Sequence, residues 1–312
     1  MTHTKTYHTP WHHLSATIMT LMLSLVFTGC GKEDGLTPDY KNPSDYFQPS
    51  TDDNSEEAQL RRQFYAESGS YLIFNDTIQR NYTGTDINGN PSYFVETVDL
   101  TYSVGLSAYI STHYSYTYLE TLEQKQQTTD FLRTYILPHF TGKLRPYCWF
   151  VCNVISTWND NNSTISKPYA ASNQRCIAVA ANYLVQRERS DAQKKNYAQR
   201  ILNAVIGQLA MNHSEDFTDF YTYSSDYYGR DYISMGYEDK PSTQELYTLG
   251  FLSSTASATF PSSTTDLNSY ALLVIQNSEE QLNQRFANYP IVLQKASVVR
   301  EVLTQLGYVI EI

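Results

Sequence analysis

The chain has 312 residues with 22 Lys+Arg against 32 Asp+Glu, a formal net charge of −10, and 27 tyrosines. An acidic balance of this size makes nucleic acid a poor partner, because phosphate binding runs on Lys and Arg neutralisation. The length suits one large domain or two small ones, and no internal repeat is visible.

The first element is a targeting segment. Leu14 to Phe27 is almost wholly apolar or small, with Lys5 before it and Thr28, Gly29 and Cys30 after it. A membrane-spanning helix needs about 20 apolar residues, so a run this short reads as the apolar core of a signal peptide covering residues 1–29. A cysteine directly after Thr28-Gly29 resembles a lipobox, although Phe27 stands where an aliphatic residue is usual. Cys30 is then the acylated N-terminus, and several acyl chains hold it firmly at about 0.8 kcal/mol per buried CH₂. Lys32, Glu33 and Asp34 look like the charged export signal that sends Bacteroidota lipoproteins to the outer face of the outer membrane.

Residues 30–54 are rich in Pro, Asp, Asn, Ser and Thr and read as a lipidated tether. The rest, 55–312, reads as one domain. A helix is expected over 55–68, capped by Asn54 or Ser55, with Leu60 and Phe64 on one face and Gly69 as its stop. Tyr71 to Phe74 reads as a buried strand, Asn81 to Ser92 as a loop, Leu119 to Leu137 as a long helix, and Tyr147 to Ile155 as a strand. A loop at 159–166 precedes a further strand, Cys176 to Ala181. Ser190 caps a helix to Asn212 that carries Tyr197, Ile201, Leu202, Val205, Ile206 and Leu209 at helical spacing. The stretch 217–263 is weakly periodic and reads as a long surface excursion. Helices over 266–276, 279–289 and 291–306 close the chain, the last started by Pro290 and stopped by Gly307. The fold class is α+β.

Cys148, Cys152 and Cys176 are three cysteines, which allow at most one bridge. Cys148 and Cys152 would sit about 13 Å apart along one strand, too far to bond, and read as core residues. The tyrosines in polar surroundings, Tyr221, Tyr223, Tyr227, Tyr228 and Tyr232, suit a surface that binds sugars, peptides or proteins, and equally suit a tyrosine-rich extracellular sheet.

The lipobox start, Tyr71-Leu-Ile-Phe-Asn-Asp-Thr77, Tyr135-Ile-Leu-Pro-His-Phe140 with Leu144-Arg-Pro-Tyr147, and Tyr289-Pro-Ile-Val-Leu-Gln-Lys295 through Gly307 together resemble the substrate-import-associated zinc metallohydrolase lipoproteins of Bacteroidota. That resemblance implies a zincin-like (gluzincin-like) fold, a SusC/SusD-type TonB-dependent transporter as partner, and peptides or glycans as cargo. It also implies a zinc site built on an HExxH motif, in which two histidines share a helix face and the glutamate acts as general base. Here the aligned stretch is Gly207-Gln208-Leu209-Ala210-Met211, so the motif is degenerate. Gly207 has no donor, Gln208 is no base, and the Met211 thioether suits zinc poorly. The family's third ligand falls near Thr265, Asp266 and Ser269, with serine in the best register.

The expectation is therefore a catalytically inactive relative, with no cofactor, that serves as an accessory binding subunit at the cell surface. Zinc enters only if the site has moved, and His113, His139 and His213, the last beside Glu215 and Asp216, are its weak candidates. An active hydrolase with a rearranged site and a surface glycan-binding protein are the rival readings.

Overall fold

The computed structural model describes residues 46–101 and 112–310. Cys30, Lys32, Glu33 and Asp34 and the signal peptide lie outside the described residues. Among those described, no helix is long and apolar enough to cross a membrane.

Helix α1 (Glu56–Ser68) starts where the Ser55 hydroxyl accepts from the Ala58 amide and ends at Gly69, whose φ of 70° places it in the left-handed region. The segment before it is not all tether: Phe47 is buried, and Arg61 Nη2 donates to its carbonyl at 2.9 Å. Arg62 likewise holds the carbonyls of Ser50 and Asp53, so the folded body begins before residue 55.

Strand β1 (Tyr71–Ile73) joins β5 (Cys148–Cys152), β9 (Cys176–Ala180) and β8 (Ala170–Ser172) in a four-stranded sheet of order β1-β5-β9-β8. β1, β5 and β9 are parallel and β8 runs antiparallel at the edge. The three parallel strands are buried throughout because both faces are covered, as parallel strands require. Leu72, Trp149, Val151, Ile177 and Val179 face the helices. Ile73, Cys148, Phe150, Cys152, Cys176 and Ala178 face the other way, onto Phe47, Val98, Leu100 and Ile155. Cys148 and Cys152 are free and buried core residues, as is Cys176, the register partner of Cys148.

Two expected loops are hairpins. β2 (Thr77–Thr85) pairs with β3 (Pro91–Thr97) where a loop was expected over 81–92. Its strands are exposed on both faces and so lack the alternation that marks a half-buried strand. The Asp86 carboxylate accepts from the amides of Asn88 and Asn90 and sets the turn. The strand expected over Tyr147 to Ile155 is two strands, because the chain leaves the main sheet at Asn153. β6 (Val154–Asn159) then lies between β4 (Thr112–Thr117) and β7 (Asn162–Ser166), which occupies most of the second expected loop.

Helix α2 (Leu122–Tyr135) begins three residues later than its apolar pattern suggests, at a Thr121/Gln124 capping box. After the short α3 (Asn182–Val185), the long α4 (Asp191–Met211) opens with a second capping box, Ser190/Gln193. The 217–263 stretch is not a loose excursion. It holds α5 (Thr218–Thr222) and α6 (Thr243–Thr248) and closes over a small core of its own, Tyr232, Leu246, Phe251 and Phe260. Helices α7 (Ser263–Gln276), α8 (Glu279–Arg285) and α9 (Pro290–Leu306) complete a mixed α+β architecture, with α8 ending four residues short of the expected 289. α4 packs against α7 and β8, and α7 against α9.

Candidate functional site

Three places concentrate chemistry: the α4–α7 contact, a buried ion pair beside it, and a cleft beyond the end of α4.

The α4–α7 contact holds Gly207 to Met211, the stretch that the family resemblance sets against a zinc motif. A Cβ at Gly207 would lie 2.8 Å from Asn268 Oδ1, so the absence of a side chain is what lets α7 approach. Gln208 points to solvent and donates to Asn212 Oδ1 at 2.9 Å. Met211 is half-buried against the main core. On the facing helix, Ser269 Oγ donates back to the Thr265 carbonyl at 2.8 Å, and Asp266 is turned away into the interior. The structure thus brings the two aligned regions onto packed helices, with their polar side chains engaged in local hydrogen bonds or in the pair described next.

Asp266 is 1 % exposed and Lys295, on α9, is fully buried. Lys295 Nζ donates to Asp266 Oδ2 at 2.5 Å and to Ser224 Oγ at 2.9 Å, and the Tyr228 hydroxyl donates to the same carboxylate oxygen at 2.9 Å. Ser224 in turn donates to the Leu249 carbonyl, which fixes its lone pair toward the ammonium. The rings of Phe220, Tyr270, Phe251 and Tyr228 surround Nζ at 4.4 to 5.6 Å from their centroids. Burial pushes the Asp266 carboxyl up and the Lys295 ammonium down from their ordinary values, and their mutual attraction opposes both shifts. Among the described residues Asp266 Oδ1 has no hydrogen-bond partner. The pair ties the 217–263 stretch to α7 and α9 from inside. Sequence reasoning passed over it, although a lysine within the apolar stripe Val292, Ala296, Val299 was the available signal.

The tyrosine surface expected over 221–232 is mostly interior. Tyr232 is buried edge-on against Phe260, which also meets the ring of Tyr227. Tyr221 rests on Phe220 and Tyr228, and Tyr228 serves the ion pair. Tyr223 is the one of the five at the exposed end, at 38 %. Tyrosine's amphipathic ring serves here to close a small core with few aliphatic residues.

The three histidines lie apart. His113 Nε2 meets Asp160 at 2.6 Å and stacks on Trp158. His139 Nδ1 bonds the Val309 carbonyl at 2.7 Å and stacks on Tyr308, and burial lowers its pKa. His213 is grouped with Glu215 and Asp216, one ligand atom of each lying within 4.8 Å of the others. Donors on a tetrahedral zinc with 2.0–2.1 Å bonds stand about 3.4 Å apart, whereas His213 Nδ1 and Asp216 Oδ2 are 3.9 Å apart, so these two would have to draw together to share an ion.

The cleft lies where β5 and β9 begin. Lys143, Arg145, Tyr147, Asn173, Arg175, Asn212 and His213 line a cavity of about 250 Å³. Along Asn173 to Cys176 it adjoins a second cavity of about 490 Å³, lined by Phe47, Ile78, Val98, Glu96 and Asp99. Arg175 is steadied by the Phe47 and Tyr147 rings, 4.5 and 5.3 Å from its guanidinium carbon, and by Glu96 at 3.7 Å. Nothing in the sequence pattern assembled these residues, which come from three separate segments.

No family model matches the chain, and neither a curated protein nor a solved structure does.

Proposed function

We propose that this chain is a non-catalytic, lipid-anchored cell-surface protein, a zincin-like metallopeptidase relative that works as an accessory binding subunit of a SusC/SusD-type TonB-dependent importer of peptides or glycans. The observation that carries the non-catalytic part is the use made of the degenerate motif. Gly207 serves a helix contact, Gln208 bonds its own helix, and Met211 packs on the core, so the positions that would present two imidazoles and a carboxylate to a metal have other work. The lipobox at Cys30, the Lys32-Glu33-Asp34 signal and the family resemblance support the location and the importer.

Gentle detergent extraction of outer membranes, capture of this chain and identification of what co-purifies tests the partnership. A TonB-dependent transporter at near-equal amount is the expected result, and recovery of the chain alone contradicts it. A rearranged zinc hydrolase at His213, Glu215 and Asp216 is the second reading, favoured by their clustering. EDTA-sensitive hydrolysis that disappears in His213→Ala would establish it.

A further inference from the structure

The cavity beside the end of α4 has a composition at odds with the molecule around it. The chain carries a net charge of −10, yet Lys143, Arg145, Arg175 and His213 line this one small cavity and no carboxylate does. Among the described residues Lys143 and Arg145 have no ion-pair partner within 4.0 Å, although carboxylates are in excess. Two exposed cations without a carboxylate partner, with the Arg175 guanidinium on the same concave wall, give it a positive potential that favours an anion.

The placement of the side chains is built. Arg145 rises from a turn whose neighbours Leu144 and Pro146 are buried, and its Nη1 lies 3.1 Å from where a Gly69 Cβ would be, so the guanidinium reaches over the end of α1. Arg175 sets its guanidinium against two aromatic rings, Phe47 and Tyr147. Its backbone is pinned too, because the Asn173 side-chain oxygen accepts from the amides of Arg175 and Cys176 at 2.9 and 2.7 Å. A guanidinium presents paired N–H groups that match a carboxylate in the plane, and a pre-positioned one loses less freedom on binding.

The adjoining cavity indicates what the anion is attached to. Phe47, Ile78 and Val98 form an apolar wall there, beside Glu96, which is paired with Arg175, and Asp99, which accepts from the Thr101 amide and hydroxyl. We infer that the joined cavities bind a small ligand made of a carboxylate and an apolar body, the carboxylate at Lys143, Arg145 and Arg175 and the body against Phe47, Ile78 and Val98. A peptide C-terminus with an apolar last side chain and a free apolar carboxylic acid share this chemistry. The inference rests on the binding-subunit reading and names the ligand class of that subunit.

Calorimetric titration of the full lipid-free chain with the tripeptide Ala-Leu-Phe as free acid, with its C-terminal amide, with 3-phenylpropionate and with trigalacturonate tests it. The free acid should bind at least about tenfold more tightly than the amide, the scale of one charge-assisted contact. Arg145→Ala and Arg175→Ala should each remove about tenfold or more while the melting temperature of Arg145→Ala stays at the parent value. Binding of 3-phenylpropionate without the tripeptide identifies the free acid as the source and supports the assignment. Equal binding of acid and amide, binding of trigalacturonate in place of both apolar acids, no binding of any probe, or arginine variants that bind normally would overturn it. Cleavage of the tripeptide during titration would instead refute the non-catalytic reading, with the carboxylate preference then scored on 3-phenylpropionate, which has no peptide bond.

Discussion

Helix α4 meets two different environments within two turns. At Gly207 it is pressed against Asn268 of α7, with no room for a single carbon atom, whereas at Asn212 and His213, just past its end, it walls an open cleft lined with cations. The first place is where the family resemblance would put a metal-binding motif, and it is used for packing. The second carries no motif and holds the unneutralised charge. The contrast teaches that a position's chemistry is set by what it faces.

The packed side should be fragile. Lys295→Met leaves the Asp266 carboxyl buried with its main partner gone and should cost about 3–5 kcal/mol by urea denaturation. The double replacement Lys295→Met with Asp266→Leu should recover most of that loss, since an apolar pair can substitute for a buried ion pair. Failure of the double variant to improve on the single one would show that the pair does more than neutralise itself.

Gly207→His comes next. The imidazole must displace Asn268, and overpacking of this kind costs about 1–3 kcal/mol. Gly207→Ala paired with Asn268→Ala should reverse the sign and stabilise by about 0.5–1 kcal/mol, because a mid-helix glycine is then replaced without a clash. On the open side, Arg145→Ala should stay within about 0.5 kcal/mol of the parent, as exposed substitutions do. A large loss there would make Arg145 a packing residue and erase the contrast.

The smallest effect is a pH dependence at His139. Burial lowers its folded pKa below the ordinary 6.5, so just below that value the unfolded chain binds more protons and stability rises with pH. As pH falls from 7 through that window the protein should weaken. His139→Asn, whose amide can still donate to the Val309 carbonyl, should flatten that slope in thermal unfolding between pH 5 and 7.

What the sequence disclosed follows the same division. α4 was legible because Ser190 and Gln193 form a capping box and Tyr197 to Leu209 repeat at helical spacing toward one core. Cys148 to Cys152 and Cys176 to Ala180 were legible because strands covered on both faces are apolar throughout. The β2–β3 hairpin was hidden, since its strands bury neither face and polar exposed strands look like loops. So was the core of Tyr232, Leu246, Phe251 and Phe260, whose members are spaced by turns with no period. The ion pair and the cleft join residues from distant segments, and only tertiary structure brings Asp266 to Lys295 or Arg145 toward Arg175.

The central claim is that the motif positions on α4 serve packing in place of metal chemistry, and direct metal quantification on the purified full-length chain tests it most directly. After incubation with zinc and gel filtration, the account predicts far less than one zinc per chain, with no change on adding EDTA. One tightly held zinc per chain, lost in His213→Ala or in Met211→Leu, would contradict it.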